Sequence, residues 1–322
     1  MNVGIVGAGA IGLWLAGRLA QAGINVSVLA RGKNLEAIRA AGVTVYSCED
    51  SLNARVQVSN DASALGIQDL VIFTVKSQDL PAAAESAHAM IDSNSLLLPA
   101  MNGVPWWFLE TADGELARQP LRSVDPEGKC AEYLPVEQVV GGVVHASCLV
   151  EQPGSVRHVM GNGLIIGAVT EIDAARIQLV HDALATAGFT VTIAESIRYD
   201  IWYKLWGNMT MNPISALTGA TCDLILDDPN ARAFASAIMD EAAAIGSAIG
   251  CHISQSPDDR HAITRRLGAF KTSMLQDAEA GRQLEISALL EAPQEIARMA
   301  GIATPSLGYL LGLMRVFNAA RQ

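Results

Sequence analysis

The chain has 322 residues, half of them hydrophobic, which is enough apolar material for two ordinary cores, so two domains are expected. A formal net charge of −11 leaves no basic excess to neutralise phosphates and excludes nucleic acid as an expected partner. Five scattered cysteines without a Cys-x-x-Cys pair, and six histidines without ligand spacing, point to reduced thiols in a cytosolic protein and to no metal site.

The first twenty or so residues are apolar but lack a basic leading region, and no apolar run reaches the length of a membrane helix. A soluble, cytoplasmic protein with no membrane partner is therefore expected. Val3–Val6 reads as a short buried strand. Gly7-Ala8-Gly9-Ala10-Ile11-Gly12 follows at once, then a helical pattern through Leu13, Leu15, Leu19 and Ala20 stopped by Gly23, and a second strand over Asn25–Ala30. A bare Gly-x-Gly-x-x-Gly says little, but strand, glycine turn, helix and strand in one short unit is the dinucleotide-binding pattern. The first glycine permits the tight turn, the second lets backbone approach a pyrophosphate, and the third brings helix close to strand. Phosphates then rest on the helix N-terminus, whose free N–H groups favour anions. A Gly-rich turn with no ligand is the plain alternative.

After the second strand an NAD site would place an acid for the ribose hydroxyl. Here stand Arg31-Gly32-Lys33, with no acid before Glu36. Two cations at that point suit a 2′-phosphate and so favour NADP (NADPH), unless they form only a solvated pair. Thr44–Tyr46 and Arg55–Val58 predict a short hairpin around a polar turn. Asp69–Val75 is a buried strand ending at Lys76, a helix over Leu80–Met90 lies behind it, and Ser95–Leu98 is a further strand followed by Met101-Asn102-Gly103. Ligands of open α/β sheets lie beyond the carboxyl ends of strands, which makes Lys76 and Asn102 candidates. From Ala112 to Pro135 the pattern is polar and loop-like. Strands are expected at Val139–Val144, Ser155–Val159 and Leu164–Ile166, a helix over Glu171–Ala187, and a last strand over Phe189–Ala194.

Beyond Glu195 strand signals stop, and helices are expected over 231–249, 285–300 and 305–320. The division is thus an α/β Rossmann-type dinucleotide-binding domain over 1–195 and an all-helical domain over 196–322. The helical part opens on Tyr199–Leu217, an aromatic run in which Lys204, Asn208 and Asn212 recur at every fourth position. At 3.6 residues per turn they form one stripe about 12 Å long. Trp202, Leu205, Trp206, Met209 and Met211 mark packed faces around it. Lysine is scarce in this chain, with only Lys33, Lys76, Lys129, Lys204 and Lys271, and an ammonium among such neighbours is costly unless paired or beside a wet cleft. A snorkelling lysine and locally bonded asparagines would show the same spacing. Two further polar clusters, Ser273–Asp277 and Leu284–Ser287, lie in the helical part.

Taken in order, the glycine motif, Arg31, Val75-Lys76, Asn102-Gly103, Lys204-x-x-x-Asn208-x-x-x-Asn212-Pro213, Ser273 and Glu285-Ile286 resemble the ketopantoate reductase (2-dehydropantoate 2-reductase) family over nearly the whole chain. The resemblance implies NADPH-dependent reduction of a small 2-oxo acid, ketopantoate first, in pantothenate biosynthesis. It implies Lys204 as general acid with Glu285 as its acidic partner, and Asn208, Asn212 and Ser273 on the substrate. It places Asn102 beside nicotinamide and substrate, and the cofactor on Gly7, Ala8, Gly9, Ala10, Ile11, Gly12, Arg31 and Lys76. Four positions depart from the family pattern: Met101 and Asp79 where Gln is usual, Ser287 for Asp, and Glu291 for Gly. The chemistry agrees independently, since a positioned ammonium can stabilise the oxygen of a carbonyl under hydride attack and then supply its proton. Trp106 and Trp107 either narrow the site or join the core. A substrate change and a non-catalytic dinucleotide sensor remain alternatives, and the Ala-rich helices could support a homodimer.

Overall fold

The computed structural model describes residues 1–48, 50–112 and 114–321, so Glu49, Asp113 and Gln322 lie outside the description. The described chain divides into two compact units, 1–101 with 127–197 and 102–126 with 198–322. Residues 102–126 thus group with the helices, a detour that a linear division at 195 does not contain. The anchors are Arg198, whose guanidinium donates to the carbonyls of Phe108 (2.9 Å) and Thr111 (3.0 Å), and Glu295, whose carboxylate accepts the backbone N–H groups of Arg122 (3.0 Å) and Ser123 (2.9 Å).

The first unit holds two sheets. Strands β1 (Asn2–Val6) and β2 (Asn25–Leu29) flank helix α1 (Ala10–Gln21), and α2 (Gly32–Ala41) follows. Then come β3 (Val43–Tyr46), β4 (Ser51–Ala54), β5 (Gln57–Ser59), β6 (Leu70–Phe73), α3 (Leu80–Ala87) and β7 (Leu96–Pro99). The parallel sheet runs β5-β2-β1-β6-β7, the Rossmann-type order, with the direction of winding reversing between β1 and β6. Helix α4 (Lys129–Tyr133) leads to β8 (Val140–Gln152) and β9 (Ser155–Ala168), then α5 (Ala174–Thr186) and β10 (Thr190–Ile193). These build the second sheet, β10-β9-β3-β4, with β8 antiparallel to β9. Helix α1 packs on strands of both sheets, so its Leu13, Trp14, Leu15 and Leu19 share one core with Ile5, Ile72, Val45, Val156 and Leu164. That explains why α1 is apolar on most of its circumference rather than along one stripe.

Several strands differ from the sequence expectation. Arg55–Val58 does not pair with Thr44–Tyr46; β4 takes that place, closed by the Ser47 N–H to the Asp50 carbonyl at 2.8 Å. Residues 57–59 instead cross to the first sheet and lie parallel to β2, with Val58 beside Val28. Ser155–Val159 and Leu164–Ile166 are parts of the single long strand β9, which passes through Gly161 at φ +75° without ending.

The second unit is helical: α6 (Ile197–Thr218), α7 (Cys222–Asp227), α8 (Pro229–Ala248), α9 (Pro257–Arg265), α10 (Ser273–Glu279), α11 (Ala292–Met299) and α12 (Pro305–Ala319). Asp228 caps α8 and a Ser256–Asp259 capping box starts α9, each with Pro at the first helical position. The helix expected over 285–300 is not uniform. A π-helical turn spans Ser287–Glu291 before α11, because Pro293 has no N–H to give and its ring crowds the carbonyl of Leu289. Among the described residues, no helix is long and apolar enough to cross a membrane.

Candidate active site

The glycine turn lies at the carboxyl end of β1. Gly7 adopts φ +103°, and a Cβ on Gly12 would collide with the Gly7 carbonyl, so helix and turn approach as only glycine allows. Thr74, just past β6, locks the turn by donating its hydroxyl to the Gly7 carbonyl at 2.7 Å. Asn34 holds the other side: its amide donates to the Ala8 carbonyl at 2.9 Å and its oxygen accepts the Gly154 N–H at 3.0 Å. Neither Thr74 nor Asn34 stands out in the sequence, since each acts through a partner remote along the chain. Ala8 is buried, Ala10 and Ile11 are partly buried, and Gly9 is exposed as the N-cap of α1. No side chain caps α1 and its first turn carries no acid, so its leading N–H groups are left for an anion. A Cβ on Gly9 would meet only the Thr74 carbonyl, at 3.9 Å, leaving that face bare. These features fit a dinucleotide pyrophosphate. Arg31, at the N-cap of α2, and Lys33 are exposed cations, and the Arg31 guanidinium makes no hydrogen bond or ion pair among the described residues. Lys76 is partly buried where β6 gives way to a short 3₁₀ turn.

In the second unit α6 is held by its aromatic face. Trp202 and Trp206 are fully buried and donate their indole N–H groups to the carbonyls of Ala242 (3.2 Å) and Met239 (2.7 Å) in α8. Lys204 follows Trp202 by two residues, about 200° around the helix, so fixing the indoles turns the Lys204–Asn208–Asn212 stripe to the opposite side. Lys204 and Asn208 are partly buried and Asn212 is buried. The Lys204 Nζ donates to the Asn102 Oδ1 at 2.8 Å. Burial pulls the Lys204 pKa down to about 8, against the opposing field of the Glu285 carboxylate. The ammonium therefore predominates at neutral pH yet is ready to lose its proton.

Asn102 and Glu285 reach Lys204 from segments that meet each other. Gly103 sits at φ +86° against Ala288, and a Cβ there would come within 2.6 Å of the Ala288 Cβ and carbonyl oxygen. The Val104 N–H donates to that same carbonyl at 2.9 Å. Glu285 stands two residues before this π-helical turn, with Ile286 between, and is partly buried. Phe108, farther along the Asn102 segment, stacks on Trp202 with centroids 5.8 Å apart. Trp106 and Trp107 are both buried, and the Trp107 indole N–H has no partner among the described residues.

The structure thus joins Lys204, Asn102 and Glu285. Asn208 and Asn212 share the lysine's stripe, whereas Ser273 is an exposed residue at the first position of α10, with no described bond to the lysine. Arg198 and Glu295, which tether the Asn102 segment, are not identifiable from the sequence because their partners are mainly backbone groups remote along the chain. All five cysteines are free thiols, and among the described residues no cluster of three or more His, Cys, Asp or Glu could hold a metal. Burial pushes the Cys148 thiol up to about 12 and those of Cys222 and Cys251 up to about 11, so none of the three is a ready nucleophile.

Comparison with known proteins shows what the chain is similar to. The family model described as ketopantoate reductase PanE/ApbA matches residues 3–171, and its C-terminal companion matches 196–318. A Mesorhizobium japonicum protein named 2-dehydropantoate 2-reductase is 38% identical over 316 residues, which cover 98% of this chain and 97% of that one. A crystal structure from Ralstonia solanacearum MolK2, provisionally named a ketopantoate reductase, is 46% identical with a TM-score of 0.95, covering 99% of this chain and 98% of that one. The 2-dehydropantoate 2-reductase of Geobacter metallireducens GS-15 has a TM-score of 0.86 at 26% identity, covering 98% and 99%.

Proposed function

The chain belongs to the ketopantoate reductase family and is an oxidoreductase acting on a CH–OH/C=O group, and from that premise we propose that it reduces a 2-oxo acid, ketopantoate first, with NADPH. The observation that carries the reading is the Lys204 ammonium, held on Asn102 at 2.8 Å, facing the Glu285 carboxylate, with its pKa at about 8. NADPH, when bound, supplies the hydride to the carbonyl carbon. As that bond forms, the C=O electron pair passes to oxygen, and the Lys204 ammonium first stabilises the growing charge and then gives it a proton. The neutral amine left behind recovers its proton from solvent. Asn102 accepts one ammonium N–H and so aims the other two, while Glu285 favours the charged form. Asn208 and Asn212 offer amides that bind a carboxylate or hydroxyl without adding charge, and Ser273 offers a hydroxyl. The turn around Gly7, Gly9 and Gly12 carries the pyrophosphate, Lys76 contributes a nearby cation, and Arg31 reads the 2′-phosphate.

A second reading keeps the chemistry and changes the oxo acid. It draws support from Met101, Asp79, Ser287 and Glu291, which depart from the family pattern. NADPH oxidation measured with ketopantoate and a panel of branched and hydroxylated oxo acids separates the two. Negligible turnover of ketopantoate beside fast turnover of another acid removes the first reading. Lys204→Ala is expected to retain NADPH binding and lose turnover by 10² to 10⁴, the range for a general acid. Turnover at the parental rate in that variant refutes lysine catalysis altogether.

A further inference from the structure

Two of the positions that depart from the family pattern, Ser287 and Glu291, are the first and last residues of the π-helical turn. Their side chains meet, the Ser287 hydroxyl donating to the Glu291 Oε2 at 3.0 Å. The other carboxylate oxygen, Oε1, accepts two bonds from the Arg315 guanidinium of α12, from Nε at 2.9 Å and Nη2 at 2.5 Å. A π-helical turn has poorer internal hydrogen bonding than α-helix and persists where its surroundings hold it. Here Pro293 forces the widening, and the Ser287–Glu291–Arg315 chain ties the widened turn end to end and to a neighbouring helix.

The middle of the same turn seats the catalytic loop. Ala288 supplies the carbonyl for the Val104 N–H and the surface on which Gly103 rests, so displacing the turn displaces Asn102 next door. Glu285 is tied to the turn through its carbonyl, which accepts the Leu289 N–H at 3.3 Å. We propose that Ser287, Glu291 and Arg315 form a positioning strut, which holds the π-helical turn so that Asn102 and Glu285 keep their places around the Lys204 ammonium. None of the three touches the lysine, and their effect on catalysis passes wholly through the turn. Arg315 is 60% exposed, and ion pairs at such exposure add little to global stability, so the strut's effect lies in geometry rather than in holding the fold together. Displacing a catalytic group by about 1 Å can cost on the order of 10²-fold in rate, and a partial loosening correspondingly less.

The test rests on the proposed reading of Lys204 and uses the full chain carrying Arg315→Met, Glu291→Gln or Ser287→Ala. Three quantities are measured: kcat/KM for the oxo acid from pH 6 to 9.5, the Kd for NADPH, and Tm. The charged group acting on Lys204 is Glu285, with Asp200 one turn back on the same stripe of α6. Loss of the strut moves Glu285 relative to the amine. The expected result for Arg315→Met and Glu291→Gln is a fall in kcat/KM on the order of tenfold. The high-pH limb should shift to lower pH, with an unchanged Kd for NADPH. Ser287→Ala should show a smaller shift in the same direction, and Arg315→Lys, which restores a point charge, should recover part of the rate. An unmoved high-pH limb in both charge variants overturns the strut, whether or not Tm falls. Lys204→Ala run alongside separates the two failures. Retained turnover there sinks the reading of the lysine, whereas lost turnover there with unmoved limbs in the strut variants sinks only the strut.

Discussion

Replacing Glu285 by Gln isolates the charge that opposes burial at Lys204. In the parent, the lysine pKa of about 8 leaves the ammonium some 90% populated at pH 7 and half populated at pH 8. An opposite charge nearby raises a lysine pKa by about one unit or more, so its loss brings Lys204 to about 7. The acid form then falls to about half at pH 7 and to roughly 9% at pH 8, while at pH 6 it stays near 90%. The expected consequence in kcat/KM is almost no change at pH 6, about a twofold loss at pH 7 and a five- to sixfold loss at pH 8. The direction follows from the role: an acid works below its pKa, so activity disappears as pH rises, and a lowered pKa moves that loss downward. The assay is initial-rate NADPH oxidation at saturating cofactor across that range, with NADPH Kd measured at each pH. A uniform drop at every pH would mean that Glu285 acts by contact rather than by its field. A limb that stays in place refutes the electrostatic account.

Three other perturbations probe different parts. Arg31→Ala should weaken NADPH by at least tenfold while leaving NADH nearly unchanged, as measured by fluorescence titration, because under the proposed reading the exposed guanidinium at the start of α2 would pair with the 2′-phosphate that NADH lacks. Equal losses for both cofactors would deny Arg31 that role. Gly103→Ala places a methyl group against Ala288 at φ +86°, and the combined left-handed strain and overpacking should cost about 2–4 kcal/mol by denaturant melts, with a fall in kcat as Asn102 is pushed aside. A variant as stable and active as the parent would show that the loop yields freely. Lys204 also leaves a signature in stability. Its folded pKa of about 8 lies below the unfolded 10.5, so between those values the unfolded chain binds more protons and the lysine's contribution to stability rises with pH. Lys204→Met should flatten that rise, raising Tm relative to the parent more at pH 7 than at pH 10; an equal offset at both would contradict a depressed pKa.

What the sequence determined by itself were features whose physics is local. The glycine turn is legible because each glycine answers a steric demand within one strand–turn–helix unit, and the Lys204 stripe because helical periodicity aligns every fourth residue. The scarcity of lysine in the chain makes Lys204 conspicuous without reference to any partner. Tertiary structure decided everything that depends on a remote neighbour. Arg55–Val58 has the alternation of a hairpin strand, yet Val58 finds its place beside Val28 in the other sheet, since short apolar segments carry no address. Residues 102–126 lack strong periodicity and group with the helices because Arg198 and Glu295 satisfy their backbone. The π-helical turn arises from Pro293 but is held by Arg315, 22 residues further along the chain, so neither residue alone announces it. Asn102 and Glu285 were candidates in separate stretches; only folding brought both to one ammonium, where burial lowers the lysine's pKa and the carboxylate limits the fall.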